Sequence, residues 1–148
     1  MKIFADASYF GNAYYPGGGF APVAHRLRNR HKIATITSTA VIVEFRLGSL
    51  WNAENQEGWN EFLQDKRRGK IVEIGVDWAK LFAEFEPVAL QKGSAVRPDL
   101  LDGMHVLAAR QSGATHLLSF DFRSRQRAFA RAIGLKVLPE QIPGEFGR

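Results

Sequence analysis

Short apolar runs that end in a carboxylate alternate along this chain with segments of helical hydrophobic spacing. Ile3-Phe4-Ala5 is followed by Asp6, and the run over residues 115–120 is followed by Asp121. Runs of this kind are typical of buried strands. Because strands separated by helices favour right-handed crossovers, the pattern predicts an α/β fold: a three-layer α/β/α sandwich with a mostly parallel central sheet.

Two more strands are predicted, one over residues 32–36 and one over Lys136–Leu138. After the first of these, Thr37, Ser38 and Thr39 supply hydroxyl groups of the kind that cap a helix. We therefore place Glu44 on a helix, although the β-branched run Val41-Ile42-Val43 favours extension of the strand by propensity.

Four helices are predicted from apolar residues that recur at helical spacing, and their apolar stripes are expected to be buried. The stripes are Trp59, Phe62 and Leu63; then Trp78, Leu81, Phe82 and Phe85; then Leu101, Met104 and Ala108; then Phe122, Phe129 and Ile133.

The length of 148 residues and the hydrophobic content of 45% are those of one compact domain. We expect a single domain over residues 1–148, with a loose tail from about residue 140. The chain has no cysteine, which excludes disulfides and thiolate metal sites and fits a reducing cytoplasm. It shows no signal core and no membrane-spanning run, so a soluble cytoplasmic protein is expected.

The formal net charge of +5 makes a polyanion a plausible partner. An ordinary basic protein has the same charge balance, so net charge alone does not distinguish the two.

Four acids, Asp6, Glu44, Asp102 and Asp121, are candidates for one site. In parallel α/β sheets, sites lie outside the carboxyl ends of the strands, where Asp6 and Asp121 are predicted to fall. Each acid alone could be a turn, cap or surface residue, and Asp99 suits the start of a helix. Clustered carboxylates repel one another unless a cation lies among them, and oxygen ligands favour Mg²⁺ or Mn²⁺.

Four segments, taken in order, resemble the PIN domain nucleases, and most closely the VapC-type toxins of toxin–antitoxin pairs. They are Ile3-Phe4-Ala5-Asp6-Ala7-Ser8; Thr37-Ser38 leading to Glu44-Phe45; Leu101-Asp102 with His105; and Ser119-Phe120-Asp121, followed by Arg125-Gln126-Arg127 and Gly134-Leu135-Lys136-Val137. The resemblance spans nearly the whole chain.

The resemblance implies an acidic pocket that holds one or two Mg²⁺ or Mn²⁺ ions and cuts RNA phosphodiesters. Asp6 and Asp102 would be the principal metal ligands and catalytic residues, and Glu44 and Asp121 would complete a second position or orient water. Ser119 would steer a carboxylate by hydrogen bonding. The protein would be a toxin silenced by a small antitoxin protein, and because relatives are commonly dimers, a homodimer is expected.

Substrate contacts are predicted on the last helix, where Arg123, Arg127 and Arg131 recur at i, i+4 and i+8. Such a row could follow RNA phosphates or could simply be a solvated face.

The remaining candidates have two readings each. Tyr9, Tyr14 and Tyr15 could stack on unpaired bases or be packed. His105 could contact RNA or be packed and hydrogen bonded, and we favour the packed reading.

Two other functions compete with the metal-dependent ribonuclease. A non-catalytic RNA-binding or protein-interaction module would bind RNA in a salt-sensitive way that ignores removal of divalent ions. A different Mg²⁺-dependent phosphohydrolase is disfavoured, because Asp6-Ala7-Ser8 lacks the second aspartate of haloacid dehalogenase-type phosphatases and no glycine-rich phosphate loop follows a strand.

Overall fold

A five-stranded sheet lies at the centre of the protein, for which a computed structural model describes residues 1–92 and 97–141. The expected loose tail from about residue 140 therefore lies almost wholly outside the described residues. The order of the strands is β3-β2-β1-β4-β5, and every neighbouring pair is parallel. The strands are β1 (Ile3–Ala5), β2 (Thr35–Ser38), β3 (Ile71–Ile74), β4 (His116–Leu118) and β5 (Lys136–Leu138).

The helices of the described ranges form two contacting groups. They are α1 (Ala7–Tyr14), α2 (Ala21–His25), α3 (Thr39–Leu50), α4 (Gln56–Arg67), α5 (Trp78–Lys92), α6 (Leu100–Gln111) and α7 (Gln126–Ala132), with a π-helical turn at Arg26–Arg30 and a 3-10 turn at Ala53–Asn55. Helices α1 to α4 contact one another and join β1 to β2 to β3, whereas α5 to α7 join β3 to β4 to β5. Right-handed crossovers place the two groups on opposite faces, so the predicted three-layer sandwich is confirmed. None of the helices described here has the length and apolar character needed to cross a bilayer.

The order of the strands reverses between β1 and β4. From β1 the chain proceeds outward through β2 and β3 on one side, and through β4 and β5 on the other. Ala5 is paired with Leu118, and the N–H of Asp6 donates to the carbonyl of Leu118 at 3.1 Å. Asp6 and Ser119 therefore leave the sheet side by side, at the switch point where open α/β sheets place their ligands.

Helix α3 is capped by Ser38, whose side chain accepts a hydrogen bond from the N–H of Val41 at 3.3 Å. The cap satisfies an end group of the helix, and Val41, Phe45 and Ser49 then form its buried side. Capping and burial together outweigh the β-propensity of the valines. The predicted helical placement of Glu44 is thus confirmed.

Two strand predictions differ from the structure. Strand β2 begins at Thr35 rather than at Lys32, because Lys32 has a φ of 48° and the N–H of Ile33 bonds to the carbonyl of Leu27, which keeps the chain in a turn. Strand β3 was not predicted. Its β-branched residues Ile71, Val72 and Ile74, which follow the turn at Gly69, are the signal that could have revealed it.

The apolar stripes of α5 and α6 are narrower than predicted. Leu81, Met104 and Ala108 are buried, but Phe82 is 63% exposed and Leu101 is 51% exposed. The two helices approach each other at Gly103, where an added Cβ would lie 2.1 Å from the ring of Phe85. The contact between α5 and α6 therefore includes Phe85 and Gly103, whereas Phe82 and Leu101 are left largely exposed. The predicted stripe of Phe122, Phe129 and Ile133 is also shorter on the helix, since Phe122 precedes α7.

Candidate active site

Four elements bring the four predicted acids toward the switch point. Asp6 follows β1, Glu44 lies on α3, Asp102 lies in the first turn of α6, and Asp121 follows β4. Burial raises the pKa of Asp102 to about 6, and the charge of Asp121 adds to this effect, with smaller contributions from Glu44 and Asp6. The negative charges on the other three carboxylates therefore all act on Asp102, and His105 opposes them.

Asp6 is a buried carboxylate held by uncharged donors. Its residue is 4% exposed, and Oδ1 accepts hydrogen bonds from the hydroxyl of Ser8 at 2.6 Å and from the N–H of Tyr9 at 3.2 Å. Burial raises the pKa of Asp6, while hydrogen bonds from Ser119, Ser8 and the N–H of Tyr9 act in the opposite direction. The same side chain caps α1, so one residue begins a helix and supplies an acid to the switch point.

Two serine hydroxyls join the ends of β1 and β4. Ser8 Oγ lies 3.3 Å from Ser119 Oγ and accepts the N–H of Phe120 at 2.8 Å. Ser119 Oγ accepts the N–H of Asp121 at 3.2 Å. Ser119 thus contacts the loop that carries Asp121, and Ser8 takes a similar part that was not predicted.

Gln126 extends this network to α6. Its side chain is buried, Oε1 accepts from Ser119 Oγ at 3.2 Å, and Nε2 donates to the carbonyl of Asp102 at 3.4 Å. The glutamine therefore ties the start of α7 to the helix turn that presents Asp102. Nothing in the local sequence distinguishes it from a surface glutamine, because its partners come from distant segments.

Glu44 is held by His105. Its Oε2 lies 3.1 Å from His105 Nε2, and although 45% of the Glu44 side chain is exposed, only 1% of the histidine is. Within the described ranges, His105 Nδ1 has no hydrogen-bond partner. The histidine is packed and hydrogen bonded, as we favoured, but its partner is one of the four acids.

Asp121 stabilises the turn in which it lies. Its Oδ1 accepts the N–H groups of Arg123 at 3.2 Å and of Ser124 at 3.1 Å. The side chain is only partly buried. It therefore shapes the loop before α7 and remains close enough to Asp102 to affect its pKa.

The oxygen atoms of the four acids suit a hard divalent cation by their chemistry. The four side chains are not arranged as a metal-binding site, however. Over residues 1–92 and 97–141, no group of three or more histidines or acids is arranged to hold a metal ion. Glu44 is turned to His105, and Asp121 bonds to its own loop. The ligands present are carboxylate oxygens. Burial raises the pKa of both Asp6 and Asp102, and the charge of Asp121 adds to the effect on Asp102, so that Mg²⁺ or Mn²⁺ would favour the charged form of both acids.

The predicted row of arginines on the last helix is wrong. Arg127 is 6% exposed, and its guanidinium donates to the carbonyls of Ser119 at 2.7 Å and Leu138 at 3.1 Å. Arg123 lies in the loop before α7, while Arg131 is exposed and donates to the carbonyl of Glu140. Helix α7 begins too late to align the three, and Arg127 ties β4 to β5 instead of facing solvent.

The tyrosines of α1 and its end belong to the core. Tyr9, Tyr14 and Tyr15 are 3%, 8% and 9% exposed, so their rings are packed rather than presented to a nucleic acid. Asp99 occupies the N-cap position of α6, where its side chain makes no capping hydrogen bond. This position agrees with the helix-start role expected for it.

Comparison with known proteins gives a likeness of fold. No family model matches the sequence, and no curated protein sequence matches it significantly. VapC20 of Mycobacterium tuberculosis, a toxin that cleaves the sarcin–ricin loop, superposes with a TM-score of 0.64 and 17% identity over 92% of this chain and 98% of that one. FitAB bound to a DNA fragment superposes with a TM-score of 0.58 and 17% identity over 91% of this chain and 92% of that one.

These structures share the parallel sheet and its flanking helices over nearly the full length of each chain. At this level of identity the likeness concerns the fold and not the activity. The chain therefore has a PIN-like three-layer α/β/α fold, which it shares with these two structures.

Proposed function

We propose that this protein is a Mg²⁺- or Mn²⁺-dependent endoribonuclease and the toxin of a type II toxin–antitoxin pair. The observation that carries the proposal is the crowding of carboxylates at the switch point, where burial and three other acids raise the pKa of Asp102 to about 6. A fold does not retain such repulsion for stability. The likeness of fold to VapC20, a toxin that cleaves the sarcin–ricin loop, supports RNA as the substrate.

In this proposal Asp6 and Asp102 hold the principal ion, and Glu44 and Asp121 complete a second position or orient water. A bound divalent ion supplies Lewis acidity, which activates water near neutral pH and offsets charge on the phosphate. The chain supplies the positioning: Ser8 and the N–H of Tyr9 hold Asp6. Because Glu44 is turned toward His105, its carboxylate would rotate to join the other acids.

The proposed partners follow from charge and from the resemblance to VapC-type toxins. A net charge of +5 favours association with RNA. We further propose that a small antitoxin protein silences the enzyme, that the toxin is a homodimer and that it acts in the cytoplasm.

The deciding experiment compares RNA cleavage by the wild type, Asp6→Asn and Glu44→Gln in Mg²⁺, with Glu57→Gln as the control. Glu57 is an exposed acid on α4, so its replacement changes charge without touching the site. We expect both site variants to lose at least about a hundredfold in rate, since even outer partners of metal ligands are worth about 10–100-fold. Equal cleavage by wild type and Asp6→Asn, or full activity in EDTA, would contradict the proposal.

A non-catalytic RNA-binding module is the second candidate, because the described acids do not form a ready-made metal-binding group. It predicts RNA binding that weakens with salt, persists in EDTA and leads to no cleavage. The same assay therefore separates the two functions.

A further inference from the structure

A basic cavity opens beside the segments that carry Asp102 and Asp121. It has a volume of about 240 Å³, and two segments distant in sequence form it, one leading into α6 and the other joining β4 to α7. Its lining residues are Arg97, Pro98, Asp99, Arg123, Ser124 and Arg125. Three cationic side chains and one carboxylate thus share the lining, which leaves it positively charged.

Two of the three arginines have no neutralising partner among the residues that the structure describes. Arg97 and Arg123 are exposed, and within residues 1–92 and 97–141 their guanidinium groups have neither an ion pair nor a hydrogen bond. Arg127 and Arg28, by contrast, are engaged with carbonyl or carboxylate oxygens. The two uncompensated guanidinium groups are therefore available to a ligand, and planar guanidinium groups match phosphate oxygens in bidentate geometry.

The cavity is built from the same segments as the candidate active site. Asp99 precedes Asp102 by one helical turn, and Asp121 accepts the N–H groups of Arg123 and Ser124. A group held in the cavity therefore lies next to the acids without lying among them. The acids repel a phosphate backbone, so a cationic cavity at their border offsets this repulsion where a strand would enter.

We propose that this cavity binds a phosphodiester group of the substrate RNA, with Arg97 and Arg123 as its phosphate ligands. This phosphodiester lies on the same RNA strand as the phosphodiester that is cut and next to it. The inference rests on the proposed ribonuclease function and extends it to a second site on the same strand. Because these contacts are made equally before and during the reaction, they contribute to binding of the substrate rather than to the chemical step.

The test compares two double variants of equal charge. Arg97→Gln with Arg123→Gln removes the cavity's cations, and Arg67→Gln with Arg68→Gln removes two exposed arginines at the end of α4, which leads into the amino end of β3. Each pair lowers the net charge from +5 by two, to +3. Any difference between the two variants therefore reports position and not overall charge.

Cleavage of a single-stranded RNA is measured in Mg²⁺ over a range of salt concentrations. For the cavity variant we expect KM to rise about tenfold and kcat to stay within about twofold of the wild type. The slope of log affinity against log salt concentration should fall by about 1.4, or about 0.7 for each lost phosphate contact. The control variant should stay close to the wild type.

Failure of this inference can be distinguished from failure of the proposed function. If the wild type cleaves RNA and both double variants raise KM equally, or the cavity variant lowers kcat alone, the cavity is not a phosphate site. If the wild type does not cleave, binding of a fluorescent single-stranded RNA in EDTA decides: selective weakening by the cavity variant still supports the site, and equal binding overturns it. Equal competition by a polyglutamate peptide of matched charge would also overturn it.

Discussion

Two groups of buried acids in this protein are stabilised in opposite ways. Asp65 on α4 accepts the hydroxyl of Tyr14 at 2.7 Å and Arg28 Nε at 3.1 Å, and only 7% of its side chain is exposed. Its charge is therefore neutralised inside the chain. Asp6 is equally buried, yet the hydrogen bonds that its Oδ1 accepts among the described residues come from the hydroxyl of Ser8 and the N–H group of Tyr9, both uncharged. The difference indicates that the first acid serves the fold, whereas the second has no cationic hydrogen-bond partner among the described residues.

The residues around Asp65 are also closely packed. Arg28 lies 4.0 Å from the centre of the Tyr14 ring and forms a second ion pair with Glu61 at 3.1 Å. An added Cβ at Gly58 would lie 2.1 Å from the carbonyl oxygen of Tyr14, so this glycine lets α4 approach the end of α1. Here each polar group has a partner and the backbones are in close contact. The switch point, by contrast, holds mutually repelling carboxylates.

The largest expected effect contrasts Asp65→Asn with Asp102→Asn, measured by urea denaturation in EDTA. Asp65→Asn should lower the free energy of unfolding by about 2 kcal/mol, because it removes the charge opposite Arg28 in a buried pair. Asp102→Asn should raise it, because it removes a repelled carboxylate. If the free energy of unfolding changes in the same direction for both variants, the contrast drawn between Asp65 and Asp102 is wrong.

A smaller effect is expected at His105. We expect its contact with Glu44 to orient that carboxylate and not to stabilise the fold. His105→Leu should lower RNA cleavage about tenfold, as loss of a partner of a metal ligand does, without loss of stability, since it also removes the unpartnered Nδ1. His105→Gln keeps an N–H group near Glu44 and should recover most of the activity. The measurements are kcat and the Mn²⁺ dissociation constant, and equal activity of the two variants would rule out the positioning role.

The smallest expected effect is on the pH dependence of stability in the metal-free protein. The pKa of Asp102 is raised from 3.8 to about 6 in the folded state, so the folded state binds more protons between these values. The contribution of this group to stability is thus fully present below about pH 4 and is lost as the pH rises through about 6. Thermal melting in EDTA from pH 4 to 7 should show this decline, and Asp102→Asn should make it shallower. An unchanged slope in the variant would show that the acids are not coupled as described.

The local sequence predicted well what depends on local periodicity and caps. The hydroxyl segment that contains Ser38 predicted a helix start, and Ser38 caps α3. The apolar run before Asp6 predicted a buried strand, and it forms β1. The edge strand β3 was missed, since it has only four residues and Ile71 alone of them is fully buried.

What the local sequence could not predict is which polar residues find partners. Arg127 was expected on a solvent-facing row, yet the carbonyls at the ends of β4 and β5 bury it. Gln126 gave no signal at all, although it connects Ser119 with Asp102.

By itself, then, the sequence determined the alternation of strands and helices, and it placed acids at the carboxyl ends of two strands, because hydrophobic spacing and capping act over a few residues. Only the tertiary structure decided what each charge does. His105 meets Glu44 across 61 positions, and Tyr14 meets Asp65 across 51. Burial and hydrogen bonding of this kind depend on segments that meet only after folding, so similar acids became a structural ion pair in one place and a candidate metal site in another.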